Sequence, residues 1–159
     1  MNNQEYWAVT NDSVMGGLSL GKSELFNNIV IFSGELSTKN NGGFTSIFKK
    51  ISSISKSTKS VKIRVLGDGN SYQLRFRAQV LGYELAYQVV FSTHVNTVSE
   101  YIFHLSDFCA VFRGRNLDNA PILEPQNISH VGFLTTAALI KQEAPQRFIL
   151  KIYDIDFYD

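Results

Sequence analysis

The clearest chemical signal in the chain is a pair of arginines on one predicted strand. In residues 72–80 the even positions are apolar and the odd positions polar, so Arg75 and Arg77 face the same side. On the next predicted strand the apolar positions are odd, which places Glu84 and Gln88 beside the arginines if both apolar sets enter one core. Guanidinium and amide groups hydrogen-bond carboxylates, carbonyls or sugar hydroxyls. The pattern also fits a solvated face with cross-strand salt bridges, and both interpretations stay open.

A second candidate binding element is the loop in which Arg113 and Arg115 flank Gly114. Arginine is enriched at interaction hot spots, although exposed loop arginines are also common without any binding role. In the binding interpretation, this loop forms the rim of a surface made by Arg75, Arg77 and Gln88.

Catalytic chemistry finds little support in the sequence, and no enzyme activity is predicted. A serine hydrolase needs a serine on a strained turn with a histidine and a carboxylate in reach, and no G-x-S-x-G is present. His104, Asp107 and Cys109 are close in sequence and could be assembled into a thiol site. We interpret Cys109 instead as a buried free cysteine beside an edge histidine.

No resident metal or cofactor is predicted. The three histidines are isolated and lack the close paired spacing that zinc requires. Oxygen ligands for calcium are available at Asn11, Asp12, Asp154 and Asp156, but without a calcium-loop spacing, so a structural calcium stays an open alternative. Nucleotide binding is disfavoured because the glycine-rich segments lead into strands, whereas phosphate-binding glycines open a helix.

Two Gly-Gly segments, NDSVMGGLS at 11–19 and NNGGFTS at 40–46, are predicted to be shaped loops. Gly, Asn and Asp tolerate the positive φ angles that other residues resist. A structural role at one end of the fold is therefore expected for Asn11, Asp12, Gly16, Gly17, Asn41, Gly42 and Gly43.

The elements that must position these groups are strands, because a period of two dominates the chain. Besides 72–80, strands are predicted at 29–32, 44–48, 61–65, 85–91, 101–105, 131–134 and 148–157. No segment of ten residues has a helical period, and helix is limited to single turns, one of them near 124–128 after two prolines. About eight or nine strands predict an all-β sandwich or barrel.

Length and composition indicate one globular domain over residues 1–159, with 44% hydrophobic and 13% aromatic residues. The net charge of +1 gives no electrostatic case for nucleic acid or an anionic membrane. The single cysteine excludes an internal disulfide and fits a reducing compartment. No signal peptide or apolar run long enough for a membrane span is found, so a cytoplasmic location is expected.

The same segments resemble the complex I intermediate-associated protein family. The resemblance is carried by Trp7 with NDSVMGGLS, by FSGELSTKNNGGFTSIF at 32–48, GDGNSYQLRFR at 67–77, LSDFCAVFRGR at 105–115 and RFILKIYDIDF at 147–157. It implies a galactose-binding-like jelly-roll β-sandwich, similar to carbohydrate-binding modules. Members often have a Trp near Val98 and a Pro at His104, so the strand entering residues 106–108 is expected to pack differently here.

Two functions remain. The resemblance implies a non-catalytic protein-interaction or assembly factor whose partner is a protein, for example a respiratory-complex assembly intermediate. The alternative is a module that binds carbohydrate or another small ligand on the polar sheet face, which rests on fold analogy.

Overall fold

Two antiparallel sheets form the fold in the computed structural model, which describes residues 7–11, 19–37, 43–143 and 145–159. The first sheet contains seven strands: β1 (Ala8–Asn11), β4 (Phe44–Lys50), β6 (Ser71–Val80), β7 (Tyr83–Ser92), β9 (Cys109–Phe112), β10 (Arg115–Asn116) and β11 (Ile128–Thr136). Their order across the sheet is β1-β4-β11-β6-β7-β9-β10.

The second sheet contains five strands: β2 (Leu20–Phe26), β3 (Ile29–Leu36), β5 (Ser60–Leu66), β8 (Val98–His104) and β12 (Gln146–Tyr158). Their order is β2-β3-β12-β5-β8. Among the residues that the structure describes, helix is confined to single 3-10 turns at Leu105–Asp107, Pro125–Asn127 and Ala137–Leu139. Within the described ranges, no helix is long and apolar enough to cross a membrane.

The core lies between the sheets and follows the predicted alternation. In β6 the side chains of Tyr72, Leu74 and Phe76 are fully buried, while the odd positions are partly exposed. In β5 and β12 the alternating Val, Ile and Leu residues meet them from the other sheet. All eight predicted strands and the predicted single helical turn near 124–128, which begins at Pro125, are confirmed, as is the all-β sandwich.

Four strands were missed because they lack a readable apolar alternation. Most of β2 is exposed, including Leu20, Leu25 and Phe26. Its LGKSELF sequence therefore lacks the apolar alternation that a buried face would produce. The strands β1, β9 and β10 have four residues or fewer, which is too short to establish a period.

Asp68 joins the two sheets from the loop between β5 and β6. Its carboxylate accepts hydrogen bonds from the Tyr72 hydroxyl at 3.0 Å and from the backbone N–H of Ile149 at 2.9 Å. It also accepts from the backbone and side-chain N–H groups of Asn70. Burial raises the pKa of Tyr72, and the Asp68 charge raises it further, so the phenol stays a neutral donor. The GDGNSY segment therefore has a structural role.

The Gly-Gly segments lie largely outside the described residues, namely Asp12, Gly16, Gly17, Asn41 and Gly42. Gly43 is described and has φ of 120°, and an added Cβ would lie 3.2 Å from that of Ala137. Asn11, which we expected in a loop, is instead the last residue of β1, because it pairs with Thr45 on β4. Its side-chain oxygen accepts from the Gly21 N–H at 3.0 Å, linking β1 to β2.

Candidate functional site: the outer face of the seven-stranded sheet

The register of three neighbouring strands brings the predicted cluster together. Arg75 lies opposite Gln88 on β7 and opposite Gly132 on β11, and Arg77 lies opposite His130. Since Tyr72, Leu74 and Phe76 fill the core, all of these residues lie on the outer side of the sheet. We call this surface the basic face, defined by Phe48, Lys50, Gln73, Arg75, Arg77, Gln88 and His130.

Arg75 is fixed between two amides. Its Nε donates to the Gln73 Oε1 at 2.8 Å, and its Nη2 donates to the Gln88 Oε1 at 2.7 Å. The side chain is partly buried, and this burial, followed by the nearby charge of Arg77, lowers its pKa. Among the described ion pairs none includes Arg75. The guanidinium is therefore held in place without a carboxylate partner from the described ranges.

Arg77 is fixed by an aromatic ring. Its guanidinium carbon lies 3.8 Å from the centroid of the Phe48 ring, and its Nε is 3.8 Å from the Glu84 Oε1. The Phe48 ring lies in turn over Gly132, where an added Cβ would meet the ring at 2.3 Å. Only glycine leaves room for this layer, so Gly132, Phe48 and Arg77 form a stack on the sheet.

His130 lies between two cations, opposite Arg77 on one side and Lys50 on the other. Burial lowers the pKa of His130, and the charges of Arg77 and Lys50 lower it further, against an opposing effect of Glu84. Its Nδ1 is 2.8 Å from the Ser129 hydroxyl oxygen. The neutral imidazole is therefore favoured on this face.

Cys109 does not have the predicted environment. It is exposed and lies opposite Gln88, on the basic face rather than in the core. His104 is on β8 of the other sheet, so the two residues do not form a nucleophile and base. His104 instead has its Nδ1 3.2 Å from the Ser60 hydroxyl oxygen, while Asp107 accepts from the His104 backbone N–H rather than from the imidazole.

The structure does not bring Arg113 and Arg115 to the Arg75 cluster. Arg113 is in the turn between β9 and β10 with φ of 51°, and its guanidinium lies over the Phe112 ring, 5.1 Å from the centroid. Arg115 pairs with Phe112, whose side of β9 alternates with that of Cys109. The backbone register therefore places the Arg115 side chain on the side of the sheet opposite to that of Arg75.

The described oxygen groups considered for calcium have other partners. The Asp154 carboxylate accepts two hydrogen bonds from Arg64, the shorter at 2.8 Å, and Asn11 is engaged with Gly21. Asp12 lies outside the described residues. Within the described part of the chain, no group of three or more His, Cys, Asp or Glu residues could hold a metal.

A groove at the β6–β7 hairpin was not predicted. It has a volume of about 630 Å³ and lies at the turn that joins β6 to β7, next to the segment that follows β10. Tyr83 and Phe112 form an edge-to-face pair in its wall, with ring centroids 6.1 Å apart, next to Leu117 and Asp118. The Tyr87 hydroxyl anchors the covering segment by donating to the Pro121 carbonyl at 2.8 Å. The sequence alone does not indicate this groove, because the aromatic neighbours of the covering segment depend on tertiary packing.

Known structures with the same architecture are β-sandwich carbohydrate-binding modules. The chain aligns with a family 11 module from Clostridium thermocellum, solved in complex with a β-1,3-1,4-mixed-linked tetrasaccharide, at a TM-score of 0.71 and 10% identity, covering 99% of this chain and 92% of that one. The family 11 module of the cellulase Lic26A-Cel5E from the same organism gives 0.70 and 11%, with 99% and 91% covered. A family 30 module gives 0.58 and 11%, with 90% and 92% covered. The protein is thus a β-sandwich of this fold class.

The family is defined by the sequence. A family model described as Complex I intermediate-associated protein 30 (CIA30) matches residues 1–152, and the chain belongs to this family. The resemblance seen in the sequence motifs is thereby confirmed. No curated protein matched the sequence at a significant level.

Proposed function

We propose that the protein is a non-catalytic interaction or assembly factor that binds a protein partner through the basic face. The family name supports an assembly role of the kind it describes, in which the partner is an intermediate of complex I. The proposal takes Arg75, Arg77 and Gln88 as the binding residues. Arg113 and Arg115 are left outside it because they lie elsewhere on the sheet.

The observation that carries the proposal is the state of Arg75. A guanidinium has five N–H donors, and the described contacts of Arg75 use two of them. Two neighbouring amides fix the group before any partner arrives, which lowers the entropy cost of binding. A charged hydrogen bond from such a group contributes about 1.5–3 kcal/mol. The sheet does not need this arginine to fill its core, since its side chain is on the outer face.

The alternative function, binding of a carbohydrate or another small ligand, is favoured by the groove at Tyr83 and Phe112. Its volume of about 630 Å³ suits a small ligand. The exposed Tyr83 ring and the half-buried Phe112 ring lie beside the carboxylate of Asp118 and could contact the C–H face and hydroxyls of a sugar ring. Tyr83→Ala would then abolish binding of a β-1,3-1,4-mixed-linked tetrasaccharide, while changes on the basic face would have no effect.

The test compares two double variants that each remove two arginines from one outer sheet face. Arg75→Ala with Arg77→Ala changes the basic face, and Arg64→Ala with Arg147→Ala changes the five-stranded sheet. Each tagged protein is incubated with native lysate, and the captured proteins are quantified by mass spectrometry after circular dichroism has shown that both variants are folded.

We expect the basic-face variant to lose tenfold or more of a specifically captured partner, which corresponds to about 1.4 kcal/mol. The control variant should capture it like the original protein. Equal capture by both variants would contradict the proposal.

A further inference from the structure

From the hydrogen-bond polarity of the basic face, we infer that it recognises carboxylates, so that its occupant is an acidic peptide segment of the partner rather than a neutral sugar. This inference rests on the proposed function and specifies the chemistry of the partner. Its basis is which atoms of the face remain available to an incoming molecule.

The amide oxygens of the face are already in use. A guanidinium carries donors only, so Gln73 and Gln88 must each turn an oxygen toward Arg75, as the contacts at 2.8 and 2.7 Å show. Their amide NH₂ groups therefore point away from Arg75. The centre of the face therefore presents N–H donors, from Arg75 and from both glutamines, to a bound molecule.

The charges of the face point to the same chemistry. Lys50, Arg75 and Arg77 are cationic, and Glu84 is the carboxylate that the register places with them on this side of the described strands. Glu84 is 3.8 Å from the Arg77 Nε and receives a hydrogen bond from the Gln79 amide at 3.4 Å, so it leaves Arg75 unneutralised. A carboxylate supplies acceptors and negative charge together.

A sugar fits this arrangement less well. Each sugar hydroxyl is both a donor and an acceptor, and its O–H needs an acceptor when it leaves water. At the centre of the face, the amide oxygens of Gln73 and Gln88 already accept hydrogen bonds from Arg75. The aromatic ring of the face, Phe48, is buried beneath Arg77 and offers no open surface for a sugar to stack on. Both properties select for an acceptor-rich anion.

The first experiment replaces Gln88 by glutamate. Gln88→Glu keeps the side-chain size and places a carboxylate against the Arg75 Nη2, so it forms internally the ion pair that we assign to the partner. We expect an unchanged or higher melting temperature together with at least a tenfold loss of partner capture. Ser33→Glu is the matched control, because it adds the same charge to the outer face of the other sheet, opposite Lys22. It should leave capture unchanged.

The second experiment uses defined probes with two readouts, the NMR signal of the Arg75 Nε–H and the rate at which iodoacetamide alkylates Cys109. Cys109 is exposed and opposite Gln88, so an occupant of the face protects it. Blocked pentaglutamate should shift the Arg75 signal and slow alkylation, and added salt should weaken both effects. Blocked pentaglutamine and the β-1,3-1,4-mixed-linked tetrasaccharide should leave both unchanged.

The inference is overturned if pentaglutamate has no effect at about 10 mM, a weak-binding limit, or if either neutral probe acts as strongly. Its failure differs from failure of the proposed function. If the Arg75 and Arg77 double variant captures the partner normally, the face is not the interface. If that variant loses capture while Gln88→Glu retains it, the face is the interface but its partner is not a carboxylate.

Discussion

The outer faces of the two sheets both carry cationic side chains, but the partners of these cations differ. On the five-stranded sheet, cationic side chains lie beside acidic ones. Arg64 pairs with Asp154 across two strands at 2.8 Å, Lys22 pairs with Glu24 along β2 at 2.9 Å, and Arg147 is 3.8 Å from Glu35 on the neighbouring strand. On the basic face, Arg75 meets two amides instead. Balanced ion pairs fit a solvated surface, whereas a fixed and unneutralised guanidinium fits a surface that receives an anion.

Aromatic rings lie near cations on both faces, but at different depths. Lys62 is 5.3 Å from the Tyr158 ring centroid and Arg64 is 5.2 Å from that of Tyr153. Arg77 is 3.8 Å from the centroid of Phe48, which is itself buried on the sheet. The closer, buried contact holds Arg77 in one orientation, so the basic face is preorganised where the other face is solvated.

The largest effect on this comparison is expected from Gly132→Ala, which breaks the stack beneath Arg77. The new Cβ would lie 2.3 Å from the Phe48 ring and 2.6 Å from the Ile47 carbonyl oxygen, so ring and backbone must both move. We expect a loss of about 1–3 kcal/mol in the free energy of unfolding, as for overpacked cores. Urea unfolding measures it, and the Arg77 and His130 NMR signals should shift. Unchanged stability and signals would show that Phe48 does not hold the face together.

A smaller effect is expected from removing single arginines, and it should differ between the faces. Arg75→Ala leaves the oxygens of Gln73 and Gln88 without their donor on a partly buried surface, which costs about 1–2 kcal/mol. Arg64→Ala removes an exposed pair whose partner Asp154 can return to water, so unfolding should change little. Urea denaturation of both variants in parallel makes the measurement. An equal cost at the two sites would contradict the claimed difference in burial.

The sequence predicted which side of the sheet each strand residue faces better than it predicted the environment of individual side chains. Strict alternation in 72–80 was enough to place Arg75 and Arg77 together, and opposite parity in 85–91 was enough to add Gln88, because one buried face fixes the side of every residue. The environment of Cys109 was predicted wrongly. Its strand has only four residues, so its parity cannot be read without the register to β7.

Contacts between distant segments could not be predicted in the same way. The layer of Gly132, Phe48 and Arg77 joins three strands from separate parts of the chain, and no local pattern indicates it. The bond from Asp68 to the Ile149 backbone likewise depends on how the two sheets pack. Strand alternation and the Gly-Gly segments singled out the arginines and glycines, but only the register showed which partners the arginines have.

The smallest effect concerns His130, whose pKa reports the charge of the basic face. Burial lowers this pKa and Arg77 lowers it further, so the folded state binds a proton less readily than the unfolded chain. The resulting stability is present above the ordinary histidine pKa and is lost as pH falls through the lowered folded value. We expect Arg77→Ala to raise the His130 pKa, measured by NMR of the ring protons, and to flatten the loss of stability between about pH 7 and about pH 5. Arg64→Ala, on the other face, should leave the His130 pKa where it is. If Arg77→Ala also leaves it unchanged, the lowered pKa is set without Arg77, and Arg77 does not make the face unfavourable to a further positive charge.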